Sequence, residues 1–206
     1  RGLLPSHEDN SSGVTLLKKS AVHDHRQDGL PGLVSLLGVR YTTARHTAQQ
    51  AVDTVFSMLD IAPPLCQTHN TPVVGGMLHD VRAFFEEATH NTLNTPDHAT
   101  RGRLARTYGS THTTLLNNIQ ATPSDHEPLS TDCDITRAEV RHAVKAEMAV
   151  HLPDAILRRT EAGSAGQPDD TALRAAADIM AQELKWSAER IESEIKDTKS
   201  VYQIPL

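Results

Sequence analysis

Gly32 to Arg45, reading GLVSLLGVRYTTAR, is the stretch of this 206-residue chain whose residue types and order could do chemistry. Leu33 to Leu37 is an apolar run of strand length, Gly38 closes it, and Thr42-Thr43 offers a helix N-cap. Past that cap, Ala44, Ala48, Ala51, Val52, Val55 and Leu59 recur at helical spacing. A strand, a glycine turn and a capped helix make an anion- or dipole-binding corner. The N–H groups of a first helical turn have no partner within the helix, and the macrodipole places roughly half an elementary charge there. Arg40 and Arg45 flank the same corner. An ordinary strand–helix joint has the same spacing, so spacing alone leaves both readings open.

Other residues invite sharper chemistry and support it less well. In His23-Asp24-His25, positions i and i+2 of a strand share a face, so two imidazoles could converge on one ion. Spacing fixes no third ligand and no HExxH pattern occurs, so no metal is assigned. Asp132-Cys133-Asp134 reads as a loop. Cys66 and Cys133 would each need a base partner to act as nucleophiles. Arg158-Arg159-Thr160 could hold a phosphate, but pairing of Arg158 with Asp154 at i,i+4 accounts for it better. No catalytic acid or base is assigned. Gly163-Ser164-Ala165-Gly166 lacks a preceding apolar strand and reads as a linker, which leaves the chain without a Gly-x-Gly-x-x-Gly turn for a pyrophosphate.

These candidates must be positioned by a mainly α fold. Residues 1–31 are turn-rich and lead into the strand at Gly32, and a helix runs from Thr43 to about Leu59, ahead of Pro63-Pro64. Residues 61–76 read as a linker ending at Gly75-Gly76. From Met77 onward the pattern is helical, with apolar stripes such as Leu78, Val81, Phe85 and Ala88, or Leu115, Leu116 and Ile119. Thr136-Arg137-Ala138-Glu139 has capping-box spacing and opens a helix with Val140, Val144 and Met148 on one face. Asp169-Asp170-Thr171 opens one long segment in which Leu173, Ala177, Met180, Leu184, Ile191 and Ile195 share a face, with Trp186 as an anchor. The expected architecture is therefore a short α/β piece (1–60), a linker (61–76) and an all-helical C-terminal domain (77–206).

A net charge of −6 without a basic block argues against nucleic acid as a partner. No window reaches membrane-spanning length, and two distant cysteines suggest a reducing, cytoplasmic setting; a peripheral membrane contact has no support in the chain. The first residue is Arg1 and the apolar strand comes early, so the sequence is expected to lack its beginning.

Residue identities add a resemblance. Gly38 to Arg45 resembles the glycine-Lys-Tyr/Leu-Thr-Thr-x-Arg segment of FAD-dependent glycerol-3-phosphate dehydrogenases and α-glycerophosphate oxidases, DAO-type flavoproteins. Tyr108-Gly109-Ser110 is similar to that family's Tyr-Gly-Ser step. Glu147-Met148-Ala149 with Asp154 and Arg158-Arg159-Thr160 resembles its Glu-x-Ala…Asp…Arg-Arg-Thr segment, and Glu183 to Trp186 its Leu-x-Trp helix. The resemblance implies that residues 1–60 are the remnant of an FAD-binding and substrate domain. It implies a flavin-dependent oxidoreductase whose C-terminal part contributes one wall of the FAD and substrate site. Gly38, Val39, Arg40, Tyr41, Thr42 and Thr43 would then face the cofactor, and Arg40 would face a small anionic substrate such as a phosphorylated polyol. The implied partner is a missing N-terminal FAD-binding region, without which this chain should be inactive and should not retain FAD. The alternative is a non-catalytic helical interaction or assembly module with a vestigial flavin corner.

The departures concern the substrate. Arg40 stands where the family has lysine, so it can carry charge but cannot act as a base. Leu4 precedes Pro5 where the family has a phosphate-binding arginine, and either Arg1 has taken that role or the substrate differs. A second family arginine has no clear equivalent, although Lys18-Lys19 lies near its place.

Overall fold

The apolar run before Gly38 forms a short strand, β4 (Val34–Leu37), which pairs antiparallel with β3 (Ala21–Asp24) so that His23 faces Ser35 and Ala21 faces Leu37. The computed structural model describes residues 5–9, 13–90 and 96–203. Arg1 to Leu4, on which the substrate departure turns, lie outside them. The chain divides into two compact units, Arg1–Pro72 and Val73–Leu206.

In the first unit, β1 (Ser6–Asp9) pairs antiparallel with β2 (Gly13–Leu16), separately from the β3–β4 pair. Helix α1 (Ala44–Met58) packs on β3 and β4. It begins one residue after Thr43, and a 3-10 turn, Tyr41–Thr43, tightens its entry.

The second unit holds α2 (Val81–His90), α3 (His98–Tyr108) and α4 (His112–Ala121). They are followed by α5 (Arg137–Glu147) and the short α6 (Leu152–Asp154), which widens into a π-turn at Ala155–Arg159. Helices α7 (Asp170–Leu184) and α8 (Ala188–Val201) complete it. From Leu104 onward most stripes are buried as their spacing predicts, whereas Val81 in the second unit and Val52, Val55 and Leu59 of the α1 stripe are exposed. Leu104, Leu115, Ile119, Val140, Leu173 and Met180 are almost wholly buried, each such side chain stabilising the fold by about 1.5–3 kcal/mol. Alanines 143, 155, 172, 176 and 177 let the helix backbones approach closely in the main core, a solution suited to a chain with few aromatics.

Four details differ from the sequence reading. A two-stranded hairpin, β5 (Pro128–Ser130) with β6 (Cys133–Thr136), lies inside the otherwise helical unit. Asp132-Cys133-Asp134 is thus the turn and start of a strand rather than a loop, because Leu129, Cys133 and Ile135 bury their side chains in the core. Met148 is not on the α5 core face; it ends the helix in a left-handed conformation (φ 60°) and is exposed. The long C-terminal segment is two helices, because Lys185 turns left-handed (φ 57°) and the Ser187 side chain accepts the Arg190 N–H to start α8. Gly163 to Gly166 form a turn that is tied down, since the Tyr202 hydroxyl donates to the Gly163 carbonyl at 3.1 Å.

Buried Glu139 and Asp125 are each paired with an arginine. The Glu139 carboxylate accepts from both Arg103 Nη atoms at 2.7 Å, from Thr136 N–H at 2.8 Å and from the Tyr108 hydroxyl at 3.3 Å. Burial, then the Glu139 charge, pushes the Tyr108 phenol well above its ordinary range. Arg141 bridges buried Asp125 at 2.7 Å and Glu183.

Two helix caps carry a pH dependence. The Asp97 carboxylate accepts Thr100 N–H at the start of α3, and that bond lowers its pKa below 3.8. Asp169 accepts first from the Ser130 hydroxyl and then from Ala172 and Thr171 N–H, with the same result. Both groups have depressed folded-state pKa values. Their contribution is complete above the unfolded value of 3.8 and is lost as pH falls through the folded values. Asp97→Asn/Asp169→Asn, which retains cap oxygens, should change stability little at neutral pH and flatten its decline in acid. Urea midpoints measured across that range check this; an unchanged acid slope would refute it.

Candidate functional site

The glycine corner is built by the β3–β4 pair and the entry to α1. Val39 N–H donates to Ser20 Oγ at 3.3 Å, holding the chain beside the residue that precedes β3. Arg40 is extended (φ −134°, ψ 132°), and Tyr41–Thr43 then turn into α1. Thr43 does not cap the helix with its side chain, as the sequence suggested. Its hydroxyl donates back to the Arg40 carbonyl at 3.1 Å, because the 3-10 turn brings that oxygen closer than the N–H groups of the next turn. The Thr47 hydroxyl donates to the Thr43 carbonyl at 3.1 Å, fixing the same turn from inside.

Two cavities meet at Arg40. One, of about 340 Å³, is mostly apolar and is lined by Gly38, Val39, Arg40 and Tyr41 with Leu36 and Ala44. The other, of about 390 Å³, is lined by Lys18, Lys19, Arg40, Thr43 and His46, with Ser20 among the polar residues shared between the two. Thr42, expected to face the cofactor, lies in the 3-10 turn and lines neither cavity. Among the described residues, Lys18, Lys19 and Arg40 enter no ion pair. Arg103, Arg141 and Arg158 are all matched to carboxylates. Three neighbouring cations without counter-charges, beside an apolar wall, suit an anion whose remainder is less polar.

The structure therefore brings Gly38 to Tyr41 to one cavity wall and joins Arg40 and Thr43 with Lys18-Lys19 at the other. Arg45 is directed elsewhere, with Nη1 donating to Thr68 Oγ1 at 3.0 Å and Gln49 Oε1 at 3.1 Å. His46, Thr47 and Gln50 on the wall were missed in the sequence. With Thr43 they fall three, four and seven apart, one polar face of α1, and that periodicity was the available signal.

The Arg158-Arg159-Thr160 segment does structural work. Arg158 pairs with Asp154 at 3.0 Å, and Asp154 also accepts His151 N–H at 3.0 Å. Arg159 Nε donates to the Glu147 carbonyl, closing the end of α5.

The family model for the C-terminal domain of alpha-glycerophosphate oxidase matches residues 66–191. The chain belongs to this family. Within the wider group, it is 26% identical over 189 residues to a glycerol-3-phosphate dehydrogenase of Synechocystis, covering 91% of this chain and 34% of that protein. It is 30% identical over 213 residues to a probable mitochondrial glycerol-3-phosphate dehydrogenase of Dictyostelium discoideum, covering 97% and 32%. The fold is similar to that of the Bacillus halodurans glycerol-3-phosphate dehydrogenase complexed with FAD, at a TM-score of 0.64 and 22% identity over 84% of this chain and 37% of that one. The chain spans about a third of the length of these curated relatives and matches their C-terminal part. Membership in this C-terminal-domain family agrees with the resemblance read from Tyr108–Ser110 and Glu147–Thr160, which lie within the matched residues. Among the described residues of this family member, no helix is long and apolar enough to cross a membrane.

Proposed function

We propose that this chain is the C-terminal part of an FAD-dependent oxidoreductase acting on glycerol 3-phosphate or a close phosphorylated polyol. Residues 1–60 are then the remnant of the FAD-binding and substrate domain, and residues 77–206 a helical accessory domain. The observation that carries the reading is the meeting of Lys18, Lys19 and Arg40 at one cavity beside the apolar wall of Gly38 to Tyr41.

The residues suit a flavin. A Cβ at Gly38 would meet nothing within 4 Å, so this chain's own packing does not require glycine there. A glycine so placed leaves room for a flat ligand to approach the backbone. Tyr41 is 98% exposed next to it, as expected for a wall completed by another region. When bound, the flavin would accept hydride from the substrate's carbinol carbon. This chain would hold the phosphate with Arg40 and the two lysines and present the start of α1 to the cofactor edge. No base is assigned, because arginine does not release a proton at working pH. Two free cysteines, Cys66 and Cys133, fit a reducing, cytoplasmic setting.

The test joins the chain to an FAD-binding N-terminal region; the chain alone should be colourless. In the completed enzyme, Arg40→Ala should raise KM for glycerol 3-phosphate about 10- to 100-fold, the range of a lost charge-assisted hydrogen bond. Turnover of glycerol and the amount of bound flavin should hardly change, and Arg40→Lys should recover part of the loss. Equal weakening on glycerol and glycerol 3-phosphate would withdraw Arg40 from the phosphate. Yellow protein from the chain alone would overturn the division of the flavin site.

A further inference from the structure

We propose that His23, His25 and Asp28 form a binding site for a divalent transition-metal cation of the zinc class, independent of the flavin corner. In sequence, His23-Asp24-His25 offers two imidazoles and no third ligand. The fold supplies it: ligand atoms of His23, His25 and Asp28 lie within 4.8 Å of one another. His23 Nε2 and His25 Nδ1 each stand 2.7 Å from the same oxygen, Asp28 Oδ2. The two rings are nearly perpendicular, 84° apart with centroids 4.4 Å apart, so their nitrogens converge without stacking.

The scaffold that holds these groups needs no ion. His23 is on β3, and the 3-10 turn His25–Asp28 carries the other two. Gly29, at φ 80°, ends that turn, and His25 N–H donates to the Leu33 carbonyl at 3.1 Å across the hairpin. Asp24, the acidic residue nearest to both histidines in sequence, is occupied instead as the cap of the turn, accepting Arg26 N–H at 2.9 Å. The second nitrogen of His25, Nε2, lies 2.7 Å from Ser35 Oγ. A hydroxyl there can fix the tautomer that leaves Nδ1 free to bind a metal, the usual arrangement behind a ligating imidazole.

Two imidazoles and one carboxylate match zinc and its neighbours and not calcium or magnesium, which take oxygen ligands. Tetrahedral bonds of about 2.0–2.1 Å set ligand atoms roughly 3.3 Å apart. The His23 and Asp28 side chains, both about half exposed, have room to turn toward that spacing from the present one, within 4.8 Å. Open solvent beside His23 and Asp28 leaves a fourth position for water.

Calorimetric titration of the 206-residue chain with Zn²⁺ tests the site, with Co²⁺ absorption as a second readout. One equivalent should bind more tightly than the scattered histidines can account for. Asp28→Asn and His25→Ala should each raise its Kd at least tenfold, Ser35→Ala about tenfold, and the controls His69→Ala and His98→Ala not at all. Zn²⁺ should also raise the Tm of the wild-type chain and not that of the isosteric Asp28→Asn. Tight binding unchanged in both Asp28→Asn and His25→Ala would overturn the proposal, as would loss of the tight equivalent in either control.

Discussion

Glu139→Ala should be among the most damaging single substitutions in the second unit, lowering its unfolding free energy by about 3–5 kcal/mol. The carboxylate is fully buried and gathers Arg103, Tyr108 and Thr136. Its loss leaves the Arg103 guanidinium, 20% exposed, with only the Asp134 carbonyl at 2.9 Å and the exposed Asp134 carboxylate at 3.5 Å to offset its charge. Burial opposes that charge and the Glu139 carboxylate outweighs it, raising the Arg103 pKa. Glu139→Gln keeps the shape and some of the bonds and should cost less. Arg103→Met in the Glu139→Ala background should restore part of the loss, because it removes the stranded charge. Urea denaturation followed by circular dichroism measures all three. If the double variant is no more stable than Glu139→Ala, the cost comes from the cavity rather than the charge.

Gly109→Ala should be nearly as severe, about 2–4 kcal/mol. Gly109 has φ 53° and ψ −135°, a combination that side chains rarely tolerate, at about 1–3 kcal/mol each. A methyl group there would overlap the Gly75 carbonyl oxygen, which accepts Ser110 N–H at 2.9 Å. Losing that bond adds about 1 kcal/mol. The approach is tight in both directions, since a Cβ on Gly75 would stand 2.6 Å from the Tyr108 carbonyl oxygen. Gly38→Ala is the contrast: it has open space and should leave stability almost unchanged in this chain. Similar melting of Gly109→Ala and wild type would show that the Gly75–Gly109 contact can relax freely.

Helix faces were legible because burial imposes a period that any apolar stripe must follow, as at Leu115 and Ile119 or Leu173 and Met180. The Thr136–Glu139 capping box was legible because its two partners are three residues apart. What escaped notice depends on distant residues or on backbone choices that periodicity does not encode. Leu129 and Ile135 belong to a hairpin because helices elsewhere cover them, and their local sequence carries turn residues and little strand signal. Met148 and Lys185 adopt left-handed conformations that glycine usually marks, so each helix end was hidden by an ordinary side chain. At the site, the strand, Gly38 and the helix were readable in order. The company of Lys18-Lys19 with Arg40, and of Asp28 with two histidines, arises from chain reversals that bring separated residues together.

Trp186, the only tryptophan, lies partly buried against the main core between α7 and α8, with the Arg190 guanidinium 4.9 Å from its ring centre. The chain thereby carries its one tryptophan in the second of its two units, and the first unit has Tyr41 but no tryptophan. Emission excited where tyrosine does not absorb follows the α7–α8 junction alone, while far-ultraviolet dichroism sums helices from both units, α1 included. Divergent unfolding curves from the two signals would measure how independently residues 1–72 and 73–206 melt, and coincident curves would show one cooperative system, with no label attached to either.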